Sequence, residues 1–232
     1  MAAKACVWIW SLSLFAGTLC LAQEGAPVYP AARKISVNDT LHGVIVKDPY
    51  RWLESDTSTE TRAWVVQQNA VTEQYLNQIP FRAELNQRIR ELSNYPRWSI
   101  PAVCGDYLFY QYNTGLQNQP VLFRQDVHTG KESEFVNPLM SNAAGTTSVS
   151  IASFSKNKKH VALLYSMAGS DWNEIRIRTT EGAELADHIR WVKFTSVVWD
   201  KEGFYYSRYP EPAKGMELSG LSQNHSVYYH KL

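Results

Sequence analysis

Three features of the sequence predict a mainly β protein, built of short repeated sheets behind a helical segment. A strand–loop–strand unit recurs three times: Tyr107–Tyr112 with Val121–Arg124, Val161–Tyr165 with Glu174–Arg178, and Gly203–Ser207 with Ser226–Tyr229. A helical period is confined to roughly residues 57–93, and nothing of comparable length follows it. Composition fits a packed globular domain, at 44% hydrophobic, 12% aromatic and 19% charged.

The helical segment reads as two runs. Thr57 and Glu60 form a capping-box pair, and Trp64, Val71, Tyr75 and Ile79 follow at helical spacing until Pro80 ends the run. Phe81, Leu85, Ile89 and Leu92 then make a second apolar stripe, closed by Asn94-Tyr95-Pro96. Residues 27–55 ahead of them, with Pro27, Pro30 and Pro49, are expected to be irregular.

From residue 98 onward short strands take over. Tyr110, Tyr165 and Tyr206 occupy matching places in the three units, and the first two units turn through His128–Lys131 and Thr180–Ala183. Repeats of this length made only of strands indicate propeller blades. A four-stranded blade cannot bury both faces alone, so each relies on its neighbours. About two and a half blades occupy residues 98–232; they cannot close a ring, and the chain is expected to be part of a longer protein.

Residues 1–22 are not expected to belong to the fold. Lys4 precedes an uncharged run from Ala5 to Ala22 that ends in a small residue before Gln23-Glu24, the pattern of a cleaved signal peptide. An uncleaved membrane anchor is the alternative; Ser11, Ser13, Gly17 and Thr18 interrupt the run and favour cleavage. Either way a secreted or periplasmic location follows. Loss of the leader removes Cys6 and Cys20, so Cys104 stands alone, a half-buried strand residue rather than a nucleophile. Asn38-Asp39-Thr40 and Asn224-His225-Ser226 match the N-glycosylation pattern.

Several function classes are excluded. Lys+Arg 23 against Asp+Glu 22 leaves no basic footprint for nucleic acid. The six histidines are scattered singly, and no Cys-x-x-Cys, His-Glu-x-x-His, Gly-x-Gly-x-x-Gly or phosphate-binding loop is present, so neither metal nor cofactor is expected. Gly220-Leu221-Ser222-Gln223-Asn224 lacks the final glycine and the following helix of a nucleophile turn, and no catalytic residue is assigned.

Tyr29-Pro30-Ala31-Ala32-Arg33, His42-Gly43, Asp48-Pro49-Tyr50-Arg51-Trp52-Leu53-Glu54, Trp64 and Gln68-Asn69 resemble the amino terminus of prolyl oligopeptidases. Gly169-Ser170-Asp171-Trp172, Val192-Lys193-Phe194, Trp199 and Gly203–Pro210 resemble the early blades of the same family, in the same order. The resemblance implies a serine peptidase of two domains that cuts oligopeptides after proline. A propeller of seven blades would cover an α/β-hydrolase domain made from the amino-terminal segment and a carboxy-terminal part. Residues 23–97 would then belong to the hydrolase domain, with the Phe81–Leu92 stripe packed on its missing carboxy-terminal part. The family's catalytic serine, aspartate and histidine lie in that part and map to no residue here. Phe194 maps to a phenylalanine that lines the pocket beyond the proline site; by alternation with Val192 it reads equally as a blade-core aromatic. Asp171 and Trp172 read as loop and packing residues. The implied partner is a proline-containing oligopeptide, and the alternative function is a non-catalytic propeller segment that binds peptides or another chain.

Overall fold

A β-hairpin occupies part of the segment expected to be irregular. In the computed structural model, which describes residues 27–140, 144–217 and 220–232, β1 (Asn38–Leu41) pairs antiparallel with β2 (Val44–Lys47). His42 and Gly43 form the two-residue turn with φ of 52° and 81°, the positive pair that matches strand twist in tight hairpins. The Arg51 guanidinium then joins the carboxylates of Asp39 and Asp48, tying the hairpin to a 3-10 turn at Arg51–Glu54. The predicted leader, residues 1–22, lies outside the described residues.

Helix α1 (Thr59–Asn77) starts one residue later than the capping box suggests. Ser58, in extended backbone, is the cap; its hydroxyl accepts the Thr61 N–H at 3.1 Å. Glu60 is drawn away to Arg33 by two hydrogen bonds of 2.7 and 2.8 Å, so it does not close a box. Helix α2 (Arg82–Ser93) follows Pro80, and Phe81, Leu85, Ile89 and Leu92 are each more than half exposed. Among the described residues no helix is long and apolar enough to cross a membrane.

Three antiparallel sheets follow. In the first, β3 (Arg97–Trp98) and β4 (Ala102–Cys104) both pair with β5 (Tyr107–Asn113), which pairs with β6 (Val121–Asp126) and so with β7 (Glu132–Val136). The second is a meander of β8 (Thr147–Phe154), β9 (His160–Met167), β10 (Asn173–Thr179) and β11 (Glu184–Val192). The third joins β12 (Val198–Trp199), β13 (Gly203–Arg208) and β14 (Ser226–Lys231). The three predicted strand–loop–strand units are β5–β6, β9–β10 and β13–β14, each paired directly.

The sheets stack through two separate cores. Phe109, Leu122 and Phe135 of the first sheet meet Val161, Leu163 and Tyr165 of the second. On the opposite face of that second sheet, Ala162, Ile175 and Ile177 meet Trp199, Phe204 and Tyr206 of the third. Adjacent residues Ala162 and Leu163 thus serve opposite seams, the period of two that a strand buried on both sides requires. Fully burying an aromatic such as Phe109 or Phe204 stabilises by about 1.5–3 kcal/mol. The matching tyrosines share a face: Tyr165 and Tyr206 are buried against the preceding blade, and Tyr110, in the first blade among the described residues, stacks on Phe123 at 5.8 Å. Polar bonds fasten the seams, with Gln111 donating to the Val149 carbonyl at 2.8 Å, Arg178 to that of Phe135 at 2.7 Å, and Ser153 to that of Val197 at 2.7 Å.

Candidate functional site

The exit of β11 is where the chain departs most from regular strand geometry. Asn173 pairs with Val192 and Ile175 with Ile189, so Glu174 alone faces both Arg190 and Trp191. This is a β-bulge, a device that re-aims a side chain beside a functional surface. Trp191 takes φ of 60° to make it, and Phe194 takes φ of 52° three residues later. Bulky aromatics rarely occupy left-handed backbone, and they stay there only where the surroundings over-determine them. Val192, fully buried between them, is the anchor.

Phe194 does not continue the alternation into the core. Its left-handed backbone turns the chain as it leaves the sheet, and the ring is 75% exposed and belongs to neither core. Lys193 gathers the neighbourhood: its ammonium lies 5.0 Å from the Trp172 ring centre, 5.5 Å from that of Phe194 and 3.6 Å from the Asp171 carboxylate. The Gly169–Trp172 loop and the Val192–Phe194 exit, far apart in sequence, therefore form one cluster. Trp172 is fixed further by donating its indole N–H to the Glu217 carbonyl at 2.5 Å and by edge contacts to Trp191 and Tyr209 at 5.7 and 6.0 Å. Asp171 and Trp172 are joined through Lys193.

A cavity of about 240 Å³ opens beside this cluster, lined by Tyr165, Met167, Trp172, Glu174, Arg190 and Trp191. Burial pushes the Glu174 carboxyl up, but hydrogen bonds from Arg176 at 2.9 Å and His188 at 2.6 Å outweigh it and hold the group below the ordinary carboxylate range. No sequence feature singles out Trp191; a tryptophan at the end of a strand is common, and its place in the cavity wall beside the bulge is a tertiary feature.

The remaining sequence candidates are dispersed. Cys104 is fully buried rather than half-buried, with its thiol pushed up by burial. Asn38 and Asn224, of the glycosylation patterns, are both exposed. Ser222 lies in the β13–β14 connection, with no helix following it. Among the described residues no three His, Cys, Asp or Glu side chains converge as a metal site would require.

Comparison with known proteins agrees with this architecture. Residues 29–232 match the family profile described as prolyl oligopeptidase, N-terminal beta-propeller domain. The prolyl endopeptidase of Elizabethkingia meningoseptica is 43% identical over 206 residues, covering 88% of this chain and 29% of that protein. Prolyl oligopeptidase A of Amanita bisporigera is 34% identical over 239 residues, covering 88% of this chain and 31% of its own. A solved prolyl endopeptidase superposes with a TM-score of 0.72 at 29% identity, over 88% of this chain and 31% of that one. Prolyl oligopeptidase B of Galerina marginata, bound to a 35mer hydrolysis and macrocyclization substrate, gives 0.69 at 28% identity, over 90% of this chain and 32% of that one. This chain therefore spans about a third of the length of its relatives. It belongs to the prolyl oligopeptidase family, and residues 29–232 carry that family's amino-terminal propeller region.

Proposed function

We propose that the protein carrying this chain is a secreted serine endopeptidase that cleaves oligopeptides on the carboxyl side of proline, with these blades restricting substrate access. The reading rests on the family match over residues 29–232 and the 43% identity to a prolyl endopeptidase. In it, α1, α2 and the β1–β2 hairpin belong to the hydrolase domain, and the exposed Phe81–Leu92 stripe is the face that domain covers. Catalytic groups come from residues outside this chain. The contribution of the chain itself is Phe194, an exposed ring at the β11 exit, stiffened by Lys193 and offered to an apolar residue upstream of the proline.

The test uses the full-length protein, expressed with its leader, recovered from the exported fraction and sequenced from its amino terminus, where Gln23 is expected. Short peptides with proline before the scissile bond should be cleaved and their alanine counterparts spared. Phe194→Ala gives up part of an aromatic contact, about 1–1.5 kcal/mol or roughly tenfold in kcat/KM, carried mainly by KM. A Phe194→Ala enzyme with wild-type KM across a panel varied upstream of proline would remove Phe194 from substrate contact. An exported protein that cleaves neither series would end the peptidase reading.

A further inference from the structure

The cavity at the β11 bulge has no part in the reading above, yet it is built as a binding surface. Trp172 and Trp191 meet at 85° and form a wedge, with Tyr165 and Met167 along its side. Neither indole is free to drift. Trp172 is held by the Glu217 carbonyl and by Lys193 over its ring, and Trp191 by its edge contact to Trp172. Among the described residues the Trp191 Nε1–H has no hydrogen-bond partner, and it is not one of the fully buried orphan donors. It is a donor open to a ligand.

Charge and size narrow the ligand. Glu174 is met by Arg176, His188 and, at 3.6 Å, Arg190; Asp171 is met by Lys193; and the Glu217 carboxylate accepts the Gly215 N–H at 3.1 Å. With Glu174 and Asp171 paired to cations and the Glu217 carboxylate held by a backbone N–H, the rim offers no strong field to a charged ligand, and an uncharged group is favoured. A volume of about 240 Å³ suits one side chain rather than a drug-sized molecule. The proline ring meets each condition. It is apolar and rigid, has no N–H to satisfy, and follows an amide carbonyl that accepts well. Extended proline-bearing segments dock on aromatic-lined grooves because their polyproline conformation is preformed.

We propose that this cavity binds a proline ring of an extended, uncharged peptide segment, packed against the Trp172–Trp191 pair, with the preceding carbonyl accepting the Trp191 indole N–H. In the cell this rests on the proline-directed peptidase reading, which would supply such peptides.

The test takes the full-length protein, pretreated with a serine-reactive fluorophosphonate, and a capped hexaproline bearing an amino-terminal benzophenone. Irradiation should label Met167 or its neighbours in the β9–β10 loop. Trp191→Ala should weaken hexaproline binding about tenfold by calorimetry, the loss of one aromatic contact. Trp191→Phe keeps a ring and the fold, and should weaken it about threefold through loss of the N–H. A capped hexaalanine should not compete. Labelling confined to other segments, or unchanged affinity in Trp191→Phe and Trp191→Ala, overturns the proposal. Hydrolysis of a short proline substrate by untreated enzyme is measured alongside. Cleavage without labelling at the β9–β10 loop sinks the binding site alone, whereas labelling there without cleavage sinks the peptidase reading and leaves the site standing.

Discussion

Glu174 sits behind the bulge and organises the cations around it, so its ionisation should be felt in stability. Its folded-state titration lies below the ordinary value of 4.5, because the hydrogen bonds from Arg176 and His188 outweigh burial, which alone would raise it. A carboxyl that ionises more readily folded than unfolded contributes stability in full above its ordinary range, and loses it as pH falls through the folded-state titration. Glu174→Gln should therefore be less stable than the wild type at pH 7, with the gap narrowing below about pH 4.5 and closing in stronger acid. Urea midpoints measured from pH 7 to pH 3 check this; a constant gap would mean that Glu174 acts by shape alone. At this scale the sequence was only partly legible. Phe194 is reached through a resemblance of motifs, but Trp191 is not reached at all. A left-handed tryptophan is imposed by the buried Val192 and by pairing with β10, and local propensity carries no trace of either.

Elements were legible where their residues decide locally. The β5–β6, β9–β10 and β13–β14 pairs show in the strand pattern because each strand must present apolar side chains to neighbours on a fixed period. The helix starts one residue later because Ser58 is the better cap in isolation, and Arg33, remote in sequence, captures the Glu60 that would close a box on Thr57. The β1–β2 hairpin is hidden in the sequence, although Gly43 and the run Val44-Ile45-Val46 suit it, because the prolines on either side favour irregular chain. One element depends on a single missing side chain. At Gly203, opposite Lys231 in the β13–β14 pair, an added Cβ would lie 1.9 Å from the His230 carbonyl oxygen. Backbone on both strands cannot yield as a flexible side chain would, so β14 would have to shift. Gly203→Ala should cost about 3 kcal/mol, the upper end for overpacking. Chemical denaturation of the purified protein checks it, and a cost below about 0.5 kcal/mol would show that β14 is free to slide.

Across the described residues the three blade sheets are successive units coupled through their seams. Among the described residues the seam of the first and second sheets and that of the second and third share no buried residue, and they lie on opposite faces of the second sheet, where Leu163 and Ala162 point opposite ways. Repeat arrays of this kind owe their stability to the units plus nearest-neighbour interfaces, so damage at one seam need not reach the next. Leu163 is fully buried in the first seam, and Leu163→Ala should cost about 2–5 kcal/mol there. Hydrogen exchange then distinguishes two kinds of molecule. If the seams are independent, amides of β5 and β6 exchange faster in Leu163→Ala, while those of β13, packed through Phe204 and Tyr206 on the other side, keep their wild-type rates. If exchange quickens equally in β5 and β13, the sheets open as one unit, and the two cores, separate in space, are one in energy.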